Sequence, residues 1–262
     1  MKNFIACLFV FSIISCNSND SKSGSAAEEK ATGATAPVSS GGSCSNLVLF
    51  HEGAVITGRN YDGNGNQLGE QTTTISNVSE SNGETVATAS MQMHSTIGGK
   101  ENNSTMNVAY KCDGKNLYSD LGSVMANFTA LKDAKVNGSS LSFPLEVSVG
   151  ESLPEASVSV TMPMAGREMK TTSTYKDRKV EAAEQVTTPA GTWACYKISS
   201  VIDADVSMGG GAKEQAIAEM MKKKKPVVKM IMWYAPAAGV VKTETYTGDK
   251  LSSRSEVISI KE

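Results

Sequence analysis

Methionine is the residue type whose spacing points most directly to a binding chemistry in this 262-residue chain. Three methionine pairs are each separated by one residue: Met91/Met93, Met162/Met164 and Met230/Met232. Because alternate residues of a β-strand share a face, each pair presents two thioethers together. Three interpretations remain open: filling of a core, a deformable apolar cavity for a lipid-like ligand, or copper(I) binding. No Met-rich repeat or nearby Cys/His cluster supports the copper interpretation.

Signals for catalysis and for other metals are weak. Two histidines, His51 and His94, are the only histidine candidates for a general base, and no Gly-x-Ser-x-Gly motif supplies a nucleophile. The segment that begins at Asp62 resembles the start of a calcium-binding loop. Its sixth and twelfth positions are Gln67 and Thr73, where such a loop needs glycine and an acid. We therefore expect a protein that is not an enzyme, with no catalytic residue, no metal site and no cofactor.

The overall charge is nearly balanced, with 25 Lys and Arg residues against 27 Asp and Glu residues. No basic block supplies the cationic surface that phosphate backbones attract, so we expect no nucleic-acid partner. Hydrophobic residues make up 40% of the chain, which is enough to form a sizeable core.

The N-terminus has the pattern of a secretory signal peptide, which we assign to residues 1–15. Lys2 precedes an apolar run, Phe4–Ile14, that is too short to span a bilayer. The segment Ile13–Cys16 resembles the lipobox of bacterial lipoproteins, which implies acylation of Cys16, for example by palmitate. Asn17 stands where inner-membrane retention usually has Asp, so the resemblance favours a lipid anchor in the outer membrane. We expect the protein on the periplasmic face rather than on the cell surface.

Residues 16–46 are predicted to be the lipidated cysteine followed by a flexible tether. Of the 29 residues from 17 to 45, 20 are Ser, Gly, Ala, Thr or Pro, which cannot bury enough apolar surface to offset their ordering entropy. No second linker interrupts the remainder, so residues 47–262 are predicted to form a single antiparallel β domain.

The pattern of this domain is mostly of period two. Ala87, Ala89, Met91 and Met93 alternate with polar residues, as do the apolar residues of 106–112 and 196–206. Asn-Gly, Asp-Gly and Pro-Ala-Gly turns separate these runs. Val227–Tyr234 is apolar on both faces, which predicts a central strand. We expect a curved antiparallel sheet or half-barrel of about ten strands, with one or two helices packed on it.

One helix is predicted at Ala212–Lys224, after three glycines and before Pro226. A second, shorter helix is predicted at Val124–Leu131. If the sheet wraps the first helix, its apolar stripe meets the methionine pairs, and three glycines allow it to move as a lid. The apolar ligand is then expected to contact Met91, Met93, Ile217, Met220, Met221, Met230 and Met232.

Cysteine accounting predicts one disulfide. With Cys7 in the signal peptide and Cys16 acylated, Cys44, Cys112 and Cys195 remain for an oxidising compartment. Cys112 lies on the apolar face of its strand, whereas Cys195 lies opposite the apolar face of its own. These two thiols point apart if one sheet holds both strands, so we expect a bridge between Cys44 and Cys112.

Two segments carry a resemblance to a known family. Thr187–Ile198 (TTPAGTWACYKI) resembles one signature of the TapB-like bacterial lipoproteins, and Trp233–Lys242 (WYAPAAGVVK) resembles a second. The second segment departs from the pattern, because Ala237 stands where the family often has glycine and Ala238 separates it from Gly239, whereas the spacing and the Tyr-Ala-Pro core are retained. The resemblance covers roughly residues 47–260 and implies a curved all-β envelope lipoprotein, similar to the half-barrels of lipoprotein-localisation factors. It implies no particular chemistry.

Two functions remain open at this stage. The first is a non-catalytic envelope lipoprotein that binds an apolar, lipid-like ligand or an acylated partner, with the membrane contacted through its N-terminal lipid. The alternative is a structural or assembly accessory that docks another outer-membrane or secretion protein. An enclosed, methionine-lined pocket favours the first, whereas an exposed apolar patch without a cavity favours the second.

Overall fold

The computed structural model describes residues 43–97, 100–122, 134–164, 167–211, 219–220 and 225–262. Two short 3-10 turns, Cys44–Asn46 and Val48–Phe50, come first. The strands of the described residues are β1 (Val55–Asp62), β2 (Gln67–Ser81), β3 (Glu84–Ile97), β4 (Lys100–Cys112), β5 (Asn116–Asp120), β6 (Lys135–Gly138), β7 (Ser140–Pro144), β8 (Ala156–Met164), β9 (Arg167–Thr188), β10 (Gly191–Met208), β11 (Val228–Ala235), β12 (Gly239–Thr247) and β13 (Lys250–Lys261).

All thirteen strands form one antiparallel sheet, in the order β6-β8-β9-β10-β11-β12-β13-β1-β2-β3-β4-β5-β7. The predicted fold class, a mostly β, curved antiparallel sheet, is confirmed. The sheet has thirteen strands rather than about ten, because the short strands β5, β6 and β7 lack a long alternating pattern. The predicted helix at 124–131 lies outside the described residues. Of the predicted helix at 212–224, only Glu219 and Met220 are described, and both are helical.

The long strands follow the predicted alternation. On β3, Ala87 and Ala89 are buried, whereas Thr88 between them is exposed. Strand β11 is central, as predicted for Val227–Tyr234, since it pairs with β10 on one side and β12 on the other. Its odd and even residues pack on opposite faces of the sheet, and both Trp233 and Tyr234 are buried.

The connection between β7 and β8 brings the two ends of the sheet together. This connection leaves the β7 edge of the sheet and then pairs with β9. The Leu153 amide donates to the Arg178 carbonyl, and the Gly150 amide donates to the Val180 carbonyl, each at 2.8 Å. Ser152 and Lys179 form an antiparallel bridge in the same place. The sheet is therefore nearly closed on itself in a barrel-like shape.

Arg178 stabilises this closure from the interior of the sheet. Its two terminal nitrogens donate to the Pro154 carbonyl and to the Ser142 carbonyl of β7, each at 2.7 Å. The guanidinium carbon lies 5.5 Å from the centre of the Phe143 ring, also on β7. The side chain is 1% exposed, so its charge is stabilised by carbonyl oxygens and an aromatic face instead of by water.

A β-bulge in β9 directs Arg178 inward. Lys176 pairs with Val201 and Lys179 pairs with Ser199, so β9 carries one extra residue there. Asp177 has a φ of 50°, in the left-handed region that Asp tolerates better than most residues. The extra residue shifts the alternation, so that Arg178 and Val180 are buried, whereas Asp177 and Lys179 are exposed.

The first described residues close one end of the sheet. Leu47, Val48 and Leu49 are at most 7% exposed, and the amide of Val48 donates to the carbonyl of Ala237 in the β11–β12 turn at 3.0 Å. Cys44 and Cys112 form a disulfide, with their Cα atoms 5.8 Å apart. This plugged end therefore has an apolar floor, covalently joined to β4.

No helix among the described residues combines the length and the apolar character needed to cross a membrane.

Candidate ligand cavity

A cavity of about 200 Å³ lies inside the curved sheet. Ten of the described strands (β1–β5, β7, β9 and β11–β13) and the second 3-10 turn contribute to its wall. None of the described side chains that line it carries a formal charge: Leu49, Ile56, Gly58, Gln71, Thr73, Met91, Met93, Met106, Val108, Tyr110, Leu117, Ser119, Leu121, Leu141, Phe143, Tyr175, Met230, Met232, Ala238, Val240, Thr243, Ser255 and Val257. Apolar cavities of about 150 Å³ hold molecules the size of benzene, so this one has room for a small apolar group.

Methionine dominates two regions of the wall. Met91 of β3 and Met106 of β4 are direct cross-strand partners, and Met93 follows Met91 on the same face. Met230 and Met232 line the cavity from β11, where they are 2% and 4% exposed. Unbranched thioether side chains repack readily, so these walls can adapt to the shape of an occupant.

The residues predicted to contact a ligand divide into three groups. Met91, Met93, Met230 and Met232 all line the cavity. Met220 is 59% exposed and is not among the described residues that line the cavity. Ile217 and Met221 lie outside the described residues, as does the predicted acylation site Cys16.

Met106 is a lining residue that the sequence analysis did not single out. It lies in the alternating run 106–112, on the same face as Val108 and Tyr110. The alternation of apolar and polar residues in that strand therefore indicated that Met106 shares a face with Val108 and Tyr110. The methionine pairs did not indicate it, because Met106 has no methionine two residues away.

The cavity floor comes from the plugged end of the sheet. Leu49 reaches it from the second 3-10 turn, and a Cβ atom at Gly239 would lie only 3.1 Å from a Leu49 methyl carbon. Gly239 also has a φ of 83°, which favours glycine. Phe143 contributes an aromatic wall and stacks on Tyr234, with ring centres 5.1 Å apart.

A glutamine side chain occupies space left free by a glycine. Gly58 of β1 and Gln71 of β2 are cross-strand partners, and both line the cavity. A Cβ atom at Gly58 would lie 3.2 Å from two atoms of the Gln71 side chain. The missing side chain at residue 58 therefore lets the Gln71 amide pack against the wall.

The ionisable side chains in the described cavity wall are two tyrosines, which are neutral at neutral pH, and burial raises their pKa further. Desolvation raises the pKa of Tyr110 to about 12 and that of Tyr175 to about 12. Arg178 lies behind Phe143, and burial lowers its pKa to about 10, so it stays cationic at neutral pH. Both of its terminal nitrogens already donate to backbone carbonyls.

Cys195 is not a reactive thiol. It is free and fully buried, and desolvation raises its pKa to about 12. The thiolate is the nucleophilic form of cysteine, and this environment suppresses it.

The other candidate residues for chemistry have structural partners. Asp62 accepts hydrogen bonds from the amides of Asn64 and Asn66, at 2.9 and 2.8 Å, and holds the β1–β2 turn. The His94 ring lies 2.6 Å from the side-chain oxygen of Asn103. Within the described part of the chain, no three His, Cys, Asp or Glu side chains converge to hold a metal ion.

The two family-like segments also have structural roles. In the first, the Thr188 hydroxyl accepts hydrogen bonds from the Ala190 amide at 3.3 Å and the Trp193 indole at 3.2 Å, which holds the β9–β10 turn. In the second, the Trp233 indole donates to Glu184 at 2.5 Å, and the Lys242 ammonium lies 4.3 Å from the indole ring centre. Both segments thus stabilise turns and the outer face of the sheet.

Comparison with known proteins identifies relatives of the same fold. The chain is similar to a protein described as exported, with a YmcC-like fold, from Bacteroides fragilis: 21% identity over 81% of this chain and 97% of that chain, with a TM-score of 0.59. It is also similar to a protein described as a lipoprotein from Parabacteroides distasonis: 18% identity over 81% of this chain and 96% of that chain, with a TM-score of 0.58. At these identities the likeness concerns the fold.

Among the curated proteins, none gives a significant match. A family model described as DUF3108-like matches residues 51–257, which span the sheet from its first strand to its last. The more specific TapB-like resemblance stays a prediction. The chain belongs to the DUF3108-like family.

Proposed function

We propose that this protein is a non-catalytic envelope lipoprotein that holds an apolar ligand, or the acyl chain of a partner, inside its sheet. The observation that carries the proposal is the cavity of about 200 Å³ with five methionines and no charged side chain in its described wall. Burial of apolar surface contributes roughly 25 cal/mol per Å², so an apolar group can bind there without a salt bridge.

The distribution of exposed apolar residues favours carriage over docking. In the described ranges, three large apolar side chains are largely exposed: Val149, Met220 and Val227. Three side chains do not form a contiguous patch of several hundred Å², the size that marks protein interaction surfaces. The alternative role as an assembly accessory therefore has less support than ligand binding.

A lipid anchor at Cys16 would place the sheet at the outer membrane, on its periplasmic face. The lipobox-like segment Ile13–Cys16 supports this assignment, as does the similarity to one protein described as a lipoprotein and one described as exported. Cys16→Ala should release the protein from the membrane fraction and abolish labelling by a palmitate analogue. Continued sedimentation of this variant with the outer membrane would rule out Cys16 as the anchor.

Cavity filling tests ligand binding directly. Val108 is 2% exposed and lines the cavity, so Val108→Phe adds a ring to the space that a ligand would occupy. The probe is N-phenyl-1-naphthylamine, an uncharged apolar fluorophore, titrated into the full chain carrying Cys16→Ala. We expect the added ring to weaken probe binding by about tenfold or more, which corresponds to about 1.4 kcal/mol.

Val201→Phe is the matched control, because Val201 lies on β10 between Ser200 and Ile202 and does not line the cavity. It should bind the probe as the parent chain does. Equal binding by all three chains, or no binding by the parent chain, would contradict the proposal.

A further inference from the structure

We infer that the ligand is a neutral amphiphile, whose uncharged polar end, such as a hydroxyl, ester or amide, meets a row of hydroxyl groups on β10, β12 and β13. This inference rests on the proposed function and specifies the class of ligand. The hydroxyl row consists of Ser200, Thr245 and Ser253.

The strand register places the hydroxyl row on the cavity side of the sheet. Met230, which lines the cavity, pairs directly with Ser200 on β10 and with Thr245 on β12. Thr245 pairs in turn with Ser253 on β13. Directly paired residues of antiparallel strands have their side chains on the same face, so all four face the interior.

The hydroxyl row does not itself line the cavity, but it lies next to the polar part of the wall. Thr243 and Ser255 line the cavity and are themselves a cross-strand pair. Each lies two residues from a member of the hydroxyl row, on the same strand and therefore on the same face. Five hydroxyl-bearing residues thus form one area of the interior, while Met91 and Met106 lie on the separate strands β3 and β4.

The hydroxyl groups of the row have no hydrogen-bond partner within the described part of the chain. Ser200 and Thr245 are each 1% exposed and Ser253 is 4% exposed, and their side-chain oxygens have no partner among the described residues. A buried polar group without a partner costs free energy, and native proteins seldom leave several of them adjacent. A polar group of a bound ligand would satisfy them.

The direction of β11 orients the ligand. The strand runs from Val228 toward Ala235, beside the plugged end, so Met230 and the hydroxyl row lie farther from the floor than Met232 does. The floor carries Leu49, and Phe143 of the adjoining wall stacks on Tyr234 near the end of β11. An amphiphile would therefore bind with its apolar chain toward the floor and its polar end at the hydroxyl row.

Because the described wall contains no cationic side chain, it favours a ligand whose polar end is uncharged. A carboxylate moved into this cavity would lose its hydration without gaining a salt bridge, because no charged side chain lines the described wall. Arg178 does not line it either, since its guanidinium lies behind Phe143, where both terminal nitrogens donate to carbonyl oxygens and the Nε atom has no partner among the described residues. A hydroxyl or ester needs only hydrogen bonds.

The test compares 1-octanol, octanoate at pH 8 and octane as competitors of N-phenyl-1-naphthylamine on the full chain carrying Cys16→Ala. We expect octanol to displace the probe better than octanoate. Adding Thr245→Val, which replaces the hydroxyl by a methyl group, should weaken octanol about two- to tenfold and leave octane unchanged. Thr72→Val, the same change on the opposite face of β2 from the lining residues Gln71 and Thr73, is the control and should alter neither ligand.

A second measurement separates ligand recognition from a purely structural role. In the free protein, Thr245→Val should raise the thermal midpoint by about 2–4 °C, because it removes a buried hydroxyl that has no partner. Ser253→Ala provides a second variant with the same expected loss of octanol affinity.

The outcomes distinguish failure of the hydroxyl-row inference from failure of the proposed ligand-binding function. Octanol and octane that both bind, with octanol affinity unchanged by Thr245→Val and Ser253→Ala, would overturn the hydroxyl-row inference and leave the apolar cavity intact. A lowered thermal midpoint for Thr245→Val would also overturn it. Failure of octane and octanol alike to displace the probe from the parent chain would contradict the proposed function itself.

Discussion

Individual ionisable side chains behave differently on the two faces of the sheet. Inside, burial raises the pKa values of Tyr110 and Tyr175 to about 12, so both remain neutral hydrogen-bonding groups. Outside, charged residues pair across strands. Asp203 of β10 accepts a hydrogen bond from Lys176 of β9 at 2.6 Å and another from Lys225. These two ammonium groups lower the pKa of Asp203 to about 2.

The Asp203 ion pairs predict a specific acid sensitivity. Because the folded pKa lies below the usual value of 3.8, the stabilisation is present above about pH 4 and is lost as the pH falls toward 2. Asp203→Asn removes it, so its free energy of unfolding should lie up to about 1 kcal/mol below that of the parent chain at pH 6.

Urea denaturation between pH 2 and pH 6 measures this difference. The two stability curves should converge as the pH approaches 2, and 1 M NaCl should reduce their separation at pH 6. Parallel curves over the whole range would show that Asp203 does not carry the effect.

At the scale of elements, the closure of the sheet depends on one bulge and one arginine. The extra residue at Asp177 turns Arg178 inward, and Arg178 joins β9 to β7 and to the segment before β8. Arg178→Ala would leave the Ser142 and Pro154 carbonyls without these donors and create a cavity beside Phe143. We expect it to lower the free energy of unfolding by about 2–4 kcal/mol.

Arg254→Ala is the matched control for Arg178→Ala. Arg254 lies on β13, where it contacts Glu256 at 3.9 Å and the Tyr61 ring at 4.5 Å. Loss of such a partly exposed pair should cost less than about 1 kcal/mol in chemical denaturation. Losses of the same small size for both arginines would contradict the assigned role of Arg178.

The plugged end depends on the disulfide between Cys44 and Cys112. The bridge closes a loop of sequence separation 68, which restricts the unfolded chain. Cys112→Ser or reduction should therefore lower the free energy of unfolding by about 2–4 kcal/mol. Cys195→Ala should retain the response to reductant, since Cys195 is a free thiol. An unchanged denaturation midpoint after complete reduction would contradict this role.

The long strands could be predicted from the sequence, because their alternation survives over many residues. Strands β3 and β11 lie where Ala87–Met93 and Val227–Tyr234 indicated. The inward turn of Arg178 could not be predicted, since one extra residue in β9 reverses the phase of its alternation. The short strands β5 to β7 also lacked a signal, because they become strands by pairing at the sheet ends.

The methionine part of the cavity could be predicted from the sequence, whereas the hydroxyl row could not. Met91, Met93, Met230 and Met232 were found because each pair repeats at the strand period. The hydroxyl row was not, because Ser200, Thr245 and Ser253 are distant in sequence and meet only through the register of β10 to β13.

At the scale of the whole molecule, the sheet separates two environments. Its outer face carries ion pairs such as Lys111 with Glu84, at 3.0 Å, and Arg59 with Glu70, at 2.7 Å. Its interior carries an uncharged cavity above an apolar floor. A protein of this construction can shield an apolar molecule from water while its charged exterior remains solvated.

Native mass spectrometry tests this central claim most directly. The Cys16→Ala chain, isolated from cells without denaturation or detergent, should carry a non-covalent adduct that organic extraction removes. Val201→Phe should keep the adduct, and Val108→Phe, which fills the cavity, should lose it. A parent chain that shows only its own mass, or an adduct retained equally by Val108→Phe, would contradict a ligand bound inside the sheet.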